Sequence, residues 1–143
     1  MSEQLEEDKI KYKRILGGDD ELEKVKISIR FENSKTATKK YWFSKLDMGQ
    51  LCADTFNRPV SLFCLSKNDC HTYLPFVKTL SSSNHCPIML CFVDSSHWIL
   101  LIPKSSNVFP IPPLHLLPSA FFKKNTIWKK CLEEGVDLFF DSK

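Results

Sequence analysis

Residues 88–102 have the sequence IMLCFVDSSHWILLI, in which two apolar runs flank three polar residues. Asp94, Ser95 and Ser96 are turn-forming residues, and a connection of this length between two apolar runs is typical of a β-hairpin. The sequence therefore predicts an antiparallel pair of strands over 88–102. A proline-rich loop, 103–118, follows it.

The segments before the hairpin predict a helix and two more strands. Apolar residues recur at three- and four-residue spacings from Asp47 to Asn57, which indicates a helix that ends before Pro59. Residues 60–65 indicate a buried strand. Residues 73–76 indicate a short segment at the edge of the sheet, because Pro75 cannot donate a hydrogen bond within a central strand.

A charged front section, residues 1–34, precedes the body of the domain. Apolar residues at helical spacings indicate a helix over 3–16, and the glycines at 17 and 18 end it. Residues 19–32 fit two interpretations. Their acidic start could cap a second helix, whereas the alternation of apolar and polar residues that follows is typical of a strand.

The body, residues 35–143, also ends in a predicted helix. Ser119 can cap a helix over 119–134, and Gly135 can end it. Together the elements predict an α+β fold, with a small, mainly antiparallel sheet flanked by helices.

Composition and charge fit one soluble, intracellular domain. The 143 residues are 43% hydrophobic, and 20 basic against 17 acidic residues give a net charge of +3. A charge this small and this evenly spread does not predict a nucleic-acid partner. The apolar runs are too short to cross a membrane, and the acidic N-terminus does not resemble a secretory signal. We therefore expect no membrane partner and a location in the cytoplasm or nucleus.

Six cysteines and four histidines raise the question of disulfides or metal binding. Without an export signal we expect free thiols, of which Cys52, Cys64 and Cys91 lie in predicted core elements. The adjacent pairs Cys70-His71 and His85-Cys86 lack the ligand spacing of a structural zinc site. The sequence therefore predicts no metal and no cofactor.

His97 is the candidate catalytic residue. It follows a polar turn and opens an apolar strand, so rigid backbone would hold its ring at the mouth of the sheet, where a general base can reach a group outside the strand. A histidine that only completes its own turn would show the same pattern. The position alone leaves both interpretations open.

A set of short motifs in the body, taken in order, resembles one family. The motifs are Trp42-Phe43, Met48-Gly49-Gln50-Leu51-Cys52-Ala53, Phe56-Asn57-Arg58-Pro59-Val60, Thr72-Tyr73-Leu74-Pro75, Pro87-Ile88-Met89-Leu90 and Asp94-Ser95-Ser96-His97-Trp98. Over residues 38–115 the set resembles the later part of an ovarian-tumour (OTU) domain, especially the divergent OTU-like proteins that accompany mobile elements. The resemblance implies a fold of the papain-like cysteine peptidase class, incomplete on its N-terminal side.

OTU domains are cysteine peptidases that cleave ubiquitin from lysine side chains or from other ubiquitins. The resemblance implies that His97 matches the general base and that Trp98 and Tyr73 lie beside the substrate. In the family the nucleophile lies in an Asp-Gly-Asn-Cys type loop before a helix, but the 51 residues before Cys52 contain no cysteine. Cys70, in Asn68-Asp69-Cys70, is the candidate nucleophile, although it lacks the glycine and the following helix.

A second departure from the family is Ile99, which stands where an acidic or amide partner of the histidine is often found. The sequence therefore predicts a catalytically inactive or truncated OTU-like domain that still binds ubiquitin or a ubiquitin-like protein. Two alternatives remain: an active isopeptidase that uses another cysteine or belongs to a longer gene product, and a non-enzymatic interaction domain.

Peptidases of the SUMO modifier also have a His-Trp pair, followed by an Asp and then a Cys. Here the order fails, because Cys131 precedes Glu133. If the front of an OTU domain is missing, an apolar face of the sheet would be exposed, so we also expect self-association.

Overall fold

The structure, a computed structural model, describes residues 1–32, 38, 42, 45–76, 86–104, 110–115 and 126–141. Its helices are α1 (Ser2–Glu7), α2 (Lys9–Leu16), α3 (Asp19–Ile29), α4 (Lys45–Phe56) and α5 (Thr126–Asp141). Its strands are β1 (Val60–Phe63), β2 (His71–Tyr73), β3 (Ile88–Val93) and β4 (His97–Leu101), and a short 3-10 helix, Lys67–Asp69, precedes β2. Within these ranges no helix is long and apolar enough to cross a membrane.

The strands form one mixed sheet in the order β2-β1-β3-β4. β1 pairs antiparallel with β2, and β3 pairs antiparallel with β4, but the central strands β1 and β3 run parallel. An α+β fold with a small sheet and flanking helices is therefore confirmed; the sheet is mixed, with two of its three strand pairings antiparallel. The chain passes through β2 before it returns as β3, and this long connection permits the parallel pairing.

The predicted hairpin is present as β3 and β4. Val93 pairs with His97, and the register continues down the two strands to Met89 and Leu101. Asp94 and Ser95 both have φ near +50°, the left-handed conformation that aspartate tolerates in tight turns. This turn places His97 at one end of the sheet.

In the described part of the front section, residues 1–32, the regular elements are the three helices α1, α2 and α3, which decides the element that the sequence left open. Leu22, Val25 and Ile29 follow helical spacing along one face of α3, whereas a strand would have buried Ile27, whose side chain is 48% exposed. The single helix predicted over 3–16 is wrong. It is divided into α1 and α2 at Asp8, whose φ of −112° and ψ of 30° lie outside the helical region.

The C-terminal helix does not end at Gly135, as the sequence predicted. It continues to Asp141, because Leu132 and Phe139 repeat on the same buried side as Gly135 and packing outweighs the low helix propensity of glycine. The predicted start of this helix, at Ser119, lies outside the described residues.

Helix α4 connects the front section to the sheet. One core cluster joins it to the front helices and contains Leu5, Tyr12, Leu22, Val25, Met48 and Leu51. A second cluster joins it to the sheet and contains Cys52, Ala53, Val60, Leu62 and Tyr73. The front helices therefore pack on α4 and bury one of its sides.

The outer side of β2 is partly covered by residues 110–115. The Thr72 N–H donates to Pro113 O at 2.8 Å, and the His115 N–H donates to Thr72 O at 2.8 Å. Leu74 and Ile111 then pack against Leu132 of α5. The sequence predicted a segment at the edge of the sheet over residues 73–76. The structure has an edge strand slightly earlier, and a further segment lies along it.

Candidate functional site

His97 lies at the exposed start of β4, as the sequence predicted. Its Nδ1 is 2.7 Å from the hydroxyl of Ser96, which can donate to this nitrogen or accept from it. The contact positions the ring through Nδ1 and leaves Nε2 available to another group. Ser96 was not singled out from the sequence, although a hydroxyl next to a turn histidine is a signal for such a contact.

The two residues proposed to contact substrate lie on the other face of the sheet. Trp98 follows His97 directly in the strand, so its side chain points to the opposite face. There it packs against the cluster that contains Tyr73, and its ring centroid is 4.9 Å from that of Phe92. Tyr73 is buried on β2 and stacks on His115 at 4.8 Å. The structure therefore does not bring His97, Trp98 and Tyr73 together on one surface.

Cys70 does not lie near His97. It ends the turn before β2 and is only 2% exposed. Its Sγ is within hydrogen-bond distance of the Ser66 and Cys64 carbonyl oxygens and of the Cys64 N–H. Since β2 and β4 are at opposite edges of a four-stranded sheet, three strand spacings of about 4.8 Å separate them, or about 14 Å. A cysteine at that distance cannot pass its proton to the His97 ring.

Of the described cysteines, Cys91 lies closest to His97 by sheet register. Its partner across the hairpin is Ile99, and His97 is paired with Val93, so Cys91 and His97 share a face as diagonal neighbours. Such neighbours are about 7–8 Å apart between Cα atoms. Sequence reasoning assigned Cys91 to the core, whereas the structure leaves it half-buried. The hairpin register was the signal that could have identified it.

A buried polar network lies where α2 meets α4. The Tyr12 hydroxyl donates to Asp54 Oδ2 at 2.5 Å, and the Phe76 N–H donates to Asp54 Oδ1 at 2.6 Å. Burial raises the pKa of Asp54, while these two hydrogen bonds and the Lys11 ammonium at 3.8 Å act in the opposite direction. Burial, and then the negative charge of Asp54, raise the pKa of Tyr12. This network joins the front section to the body.

Two histidines and a tyrosine form a ring cluster at the β2 edge. The ring centroids of His71 and His115 are 5.3 Å apart, and His115 stacks on Tyr73. Burial, and then the proximity of His71, lower the pKa of His115. In the part of the chain that the structure describes, no three side chains of His, Cys, Asp or Glu lie close enough to hold a metal ion.

The other edge of the sheet, formed by β4, is apolar. Among the described residues no strand pairs with the outer side of β4. The side chains of Ile99, Leu100 and Ile102 are 45%, 60% and 80% exposed. No charged residue lies between His97 and Ile102, although natural sheet edges usually carry charges or prolines that prevent pairing with another chain. This surface, residues 97–102, is called the β4 edge below.

No family model matches this chain, and the comparisons with curated proteins and with solved structures gave no match either. The fold is an α+β domain with a small mixed sheet, and the β4 edge of this sheet is apolar, begins with His97 and has no strand beside it among the described residues.

Proposed function

We propose that this chain is a non-catalytic, OTU-like binding domain that takes an extended segment of a ubiquitin-like protein as an added strand along the β4 edge. The observation that carries the proposal is the apolar β4 edge, beside which no strand lies in the described part of the chain. An edge strand presents backbone N–H and C=O groups to a second chain, and strand addition uses these groups for affinity. The resemblance of residues 38–115 to OTU domains supports ubiquitin or a relative as the source of the added strand.

The side chains of β4 would supply specificity. In strand addition, alternate side chains of the added segment contact alternate faces of the sheet. Trp98 and Leu100 lie on the face that α4 covers, and His97 and Ile99 lie on the other. An added segment would therefore meet an aromatic and aliphatic surface on one side and an imidazole next to an isoleucine on the other.

A non-catalytic role is supported by the surroundings of His97. Cys70 is buried about 14 Å away at the far edge of the sheet, and Ile99 offers neither a carboxylate nor an amide to the ring. A cysteine peptidase needs a thiol within reach of its base, and loss of the nucleophile removes covalent catalysis altogether.

One observation favours an active isopeptidase as the second candidate function. Cys91 shares a face with His97, and a shift of either side chain would shorten the distance between them. In this alternative Cys91, rather than Cys70, would be the nucleophile.

A ubiquitin probe with a thiol-trapping C-terminal group separates the two candidates. We expect no adduct with the purified chain. An adduct that maps to Cys91 by peptide mass spectrometry and disappears in His97→Ala would contradict the non-catalytic proposal and favour the second candidate.

Binding is tested by titrating the chain into fluorescently labelled ubiquitin and ubiquitin-like proteins and following anisotropy. We expect Leu100→Asp to weaken binding at least fivefold, because it places a charge on the β4 edge. The matched control is Leu65→Asp, since Leu65 is 92% exposed outside the sheet, and it should leave binding unchanged. Absence of binding to every such protein at high micromolar concentration would refute the proposal.

A further inference from the structure

We propose that His71 and His115 form a binding site for a zinc ion or a similar divalent transition-metal ion, at the edge of the sheet opposite to β4. The two histidines belong to separate segments of the chain. His71 begins β2, and His115 ends the segment 110–115 that lies along β2. A bound ion would therefore fasten this segment to the sheet.

The backbone holds both histidines in place. His71 is part of β2, which pairs with β1, and the His115 N–H donates to Thr72 O at 2.8 Å. Thr72 also forms a parallel bridge with Leu114. In this register His115 lies beside Tyr73, and His71 lies diagonal to it on the same face of β2. Two imidazoles on one face of neighbouring segments can bind the same ion without rearrangement of the backbone.

The separation of the two imidazole rings fits a shared ion. Their centroids are 5.3 Å apart, and their planes are inclined at 58° to each other. An imidazole nitrogen lies about 2.0–2.1 Å from a bound zinc ion, which places the centroids of two imidazoles about 5 Å apart at the tetrahedral angle. The tilt also fits, because face-to-face stacking of the two rings would keep their nitrogens from converging on one ion.

The ring nitrogens have no competing partner in the described part of the chain. No hydrogen bond or ion pair joins either imidazole to another described residue, and the contacts of the two histidines are between rings. His115 stacks on Tyr73 at 4.8 Å, and Tyr73 is only 2% exposed. This stack holds the His115 ring against β2.

The protonation state of His115 also suits a metal ligand. A histidine binds a metal ion as the neutral imidazole. Burial, and then the proximity of His71, lower the pKa of His115, so its ring is neutral at neutral pH. Protons therefore do not compete strongly with the ion for this ligand.

Two protein ligands leave the remaining coordination positions to water. No group of three His, Cys, Asp or Glu side chains is present among the described residues, and both imidazoles are half-buried, so solvent reaches them. Closed structural zinc sites use four protein ligands, whereas a site with open positions exchanges its ion. We therefore expect reversible binding that stabilises the folded chain as the concentration of the ion rises.

Isothermal titration of zinc chloride into the reduced full chain tests the site. We expect saturable binding that His71→Gln and His115→Gln each weaken at least tenfold, because each removes one of the two protein ligands. His97→Gln is the matched control, since it removes an exposed histidine at the other edge of the sheet, and it should leave the zinc affinity unchanged. The inference is overturned if the parent binds no zinc up to millimolar concentration, if either of the first two variants binds as the parent does, or if His97→Gln weakens binding equally.

The absorption spectrum of the cobalt(II) form distinguishes this site from one made by thiols. Cobalt(II) accepts the same ligands as zinc, and thiolate ligands add an intense charge-transfer band in the near-ultraviolet. We expect visible bands of bound cobalt without the thiolate band, and loss of the visible bands in His71→Gln. A thiolate band that saturates together with the visible bands would assign the ion to cysteines and overturn the inference.

Thermal melting followed by circular dichroism checks that each variant is folded and measures the effect of the ion. Zinc should raise the melting temperature of the parent and leave that of the two histidine variants unchanged. If His115→Gln does not fold, His71→Gln alone decides, and an equal rise in this variant and in the parent would overturn the inference. The two histidines lie at the edge opposite to β4, so this site and the proposed function can fail separately.

Discussion

Replacement of Tyr12 by phenylalanine tests how the front section is attached to the body. The change removes the hydroxyl that donates to Asp54 Oδ2 at 2.5 Å, between residues that are 42 positions apart in sequence. The ring itself remains, and it keeps its packing in the cluster that contains Leu5 and Leu22. Any loss of stability can therefore be assigned to the hydrogen bond and not to a cavity.

The expected cost follows from burial and from the partners that remain. A hydrogen bond to a charged group contributes roughly 1.5–3 kcal/mol, and both Tyr12 and Asp54 are almost fully buried, so water cannot replace the lost hydroxyl. Asp54 keeps the Phe76 N–H at 2.6 Å and the Lys11 ammonium at 3.8 Å. We therefore expect Tyr12→Phe to lower the free energy of unfolding by about 2 kcal/mol at neutral pH.

The same variant should change the pH dependence of stability in one direction. Burial raises the pKa of Asp54 above its ordinary value, and the Tyr12 hydrogen bond opposes this rise by stabilising the carboxylate. Loss of the Tyr12 hydrogen bond therefore raises the pKa of Asp54 in the folded state further. A carboxyl whose pKa is raised on folding stabilises the protein below its unfolded pKa of about 4, and this stabilisation is lost as the pH rises through the folded pKa. Tyr12→Phe should therefore cost less in acid than at neutral pH.

Urea unfolding, followed by circular dichroism at acidic and at neutral pH, measures both effects. Asp54→Asn provides the control background, because Tyr12→Phe should cost less when no carboxylate needs the hydroxyl. The reasoning is refuted if Tyr12→Phe leaves the stability unchanged at neutral pH, or lowers it equally at both pH values.

Three further predictions concern the sheet and the thiols. Gly49→Ala should lower the melting temperature, because the added methyl group would lie 2.6 Å from Cδ2 of the buried Tyr73 ring. This clash should outweigh the helix propensity of alanine, which is about 1 kcal/mol better than that of glycine. A higher melting temperature would contradict the prediction. Because the pKa of His115 is lowered on folding, the unfolded chain binds more protons below about pH 6.5 and the folded protein loses stability as the pH falls. His115→Phe should reduce this loss, as measured by urea unfolding at two pH values. A variant that loses as much stability in acid as the parent would contradict the prediction. Iodoacetamide should label exposed Cys86 before buried Cys52, because burial raises the pKa of the Cys52 thiol to about 11. Peptide mass spectrometry measures the order of labelling, and faster labelling of Cys52 would contradict the prediction.

The hairpin was predictable because its signals are local. Turn-forming residues at 94–96 and unbroken apolar runs on either side require no knowledge of distant contacts. The exposed position of His97 followed from the same signals. Helix α4 was predicted almost to its ends for a similar reason, since its apolar spacing is regular and Pro59 follows it closely.

The elements that sequence reasoning missed depend on tertiary packing. Alternation around Ile27 imitates a strand, and only packing against α1, α2 and α4 shows that Leu22 and Val25 form the buried face. Gly135 has the composition of a helix end, but the buried residues on both sides of it continue the helix. The parallel pairing of β1 and β3 joins segments far apart in sequence, and no local pattern encodes it.

The candidate site was predicted only in part, because it also depends on how the strands pair. A strand places neighbouring residues on opposite faces, so the adjacency of His97 and Trp98 in sequence separates them in space. Cys91 and His97, six positions apart, are brought to the same face by the register of the hairpin. The first relation follows from the alternation of side chains along one strand, whereas the second also requires the register of the hairpin.

The two edges of this sheet differ in a way that bears on function. At β2, residues 110–115 satisfy both backbone groups of Thr72, and proline and buried side chains complete that edge. At β4, residues 97–102 include no acidic residue, lysine or arginine. Three of their aliphatic side chains are exposed, and no described segment lies beside them. A chain that protects one edge with its own residues and leaves the other apolar is suited to receive a strand there.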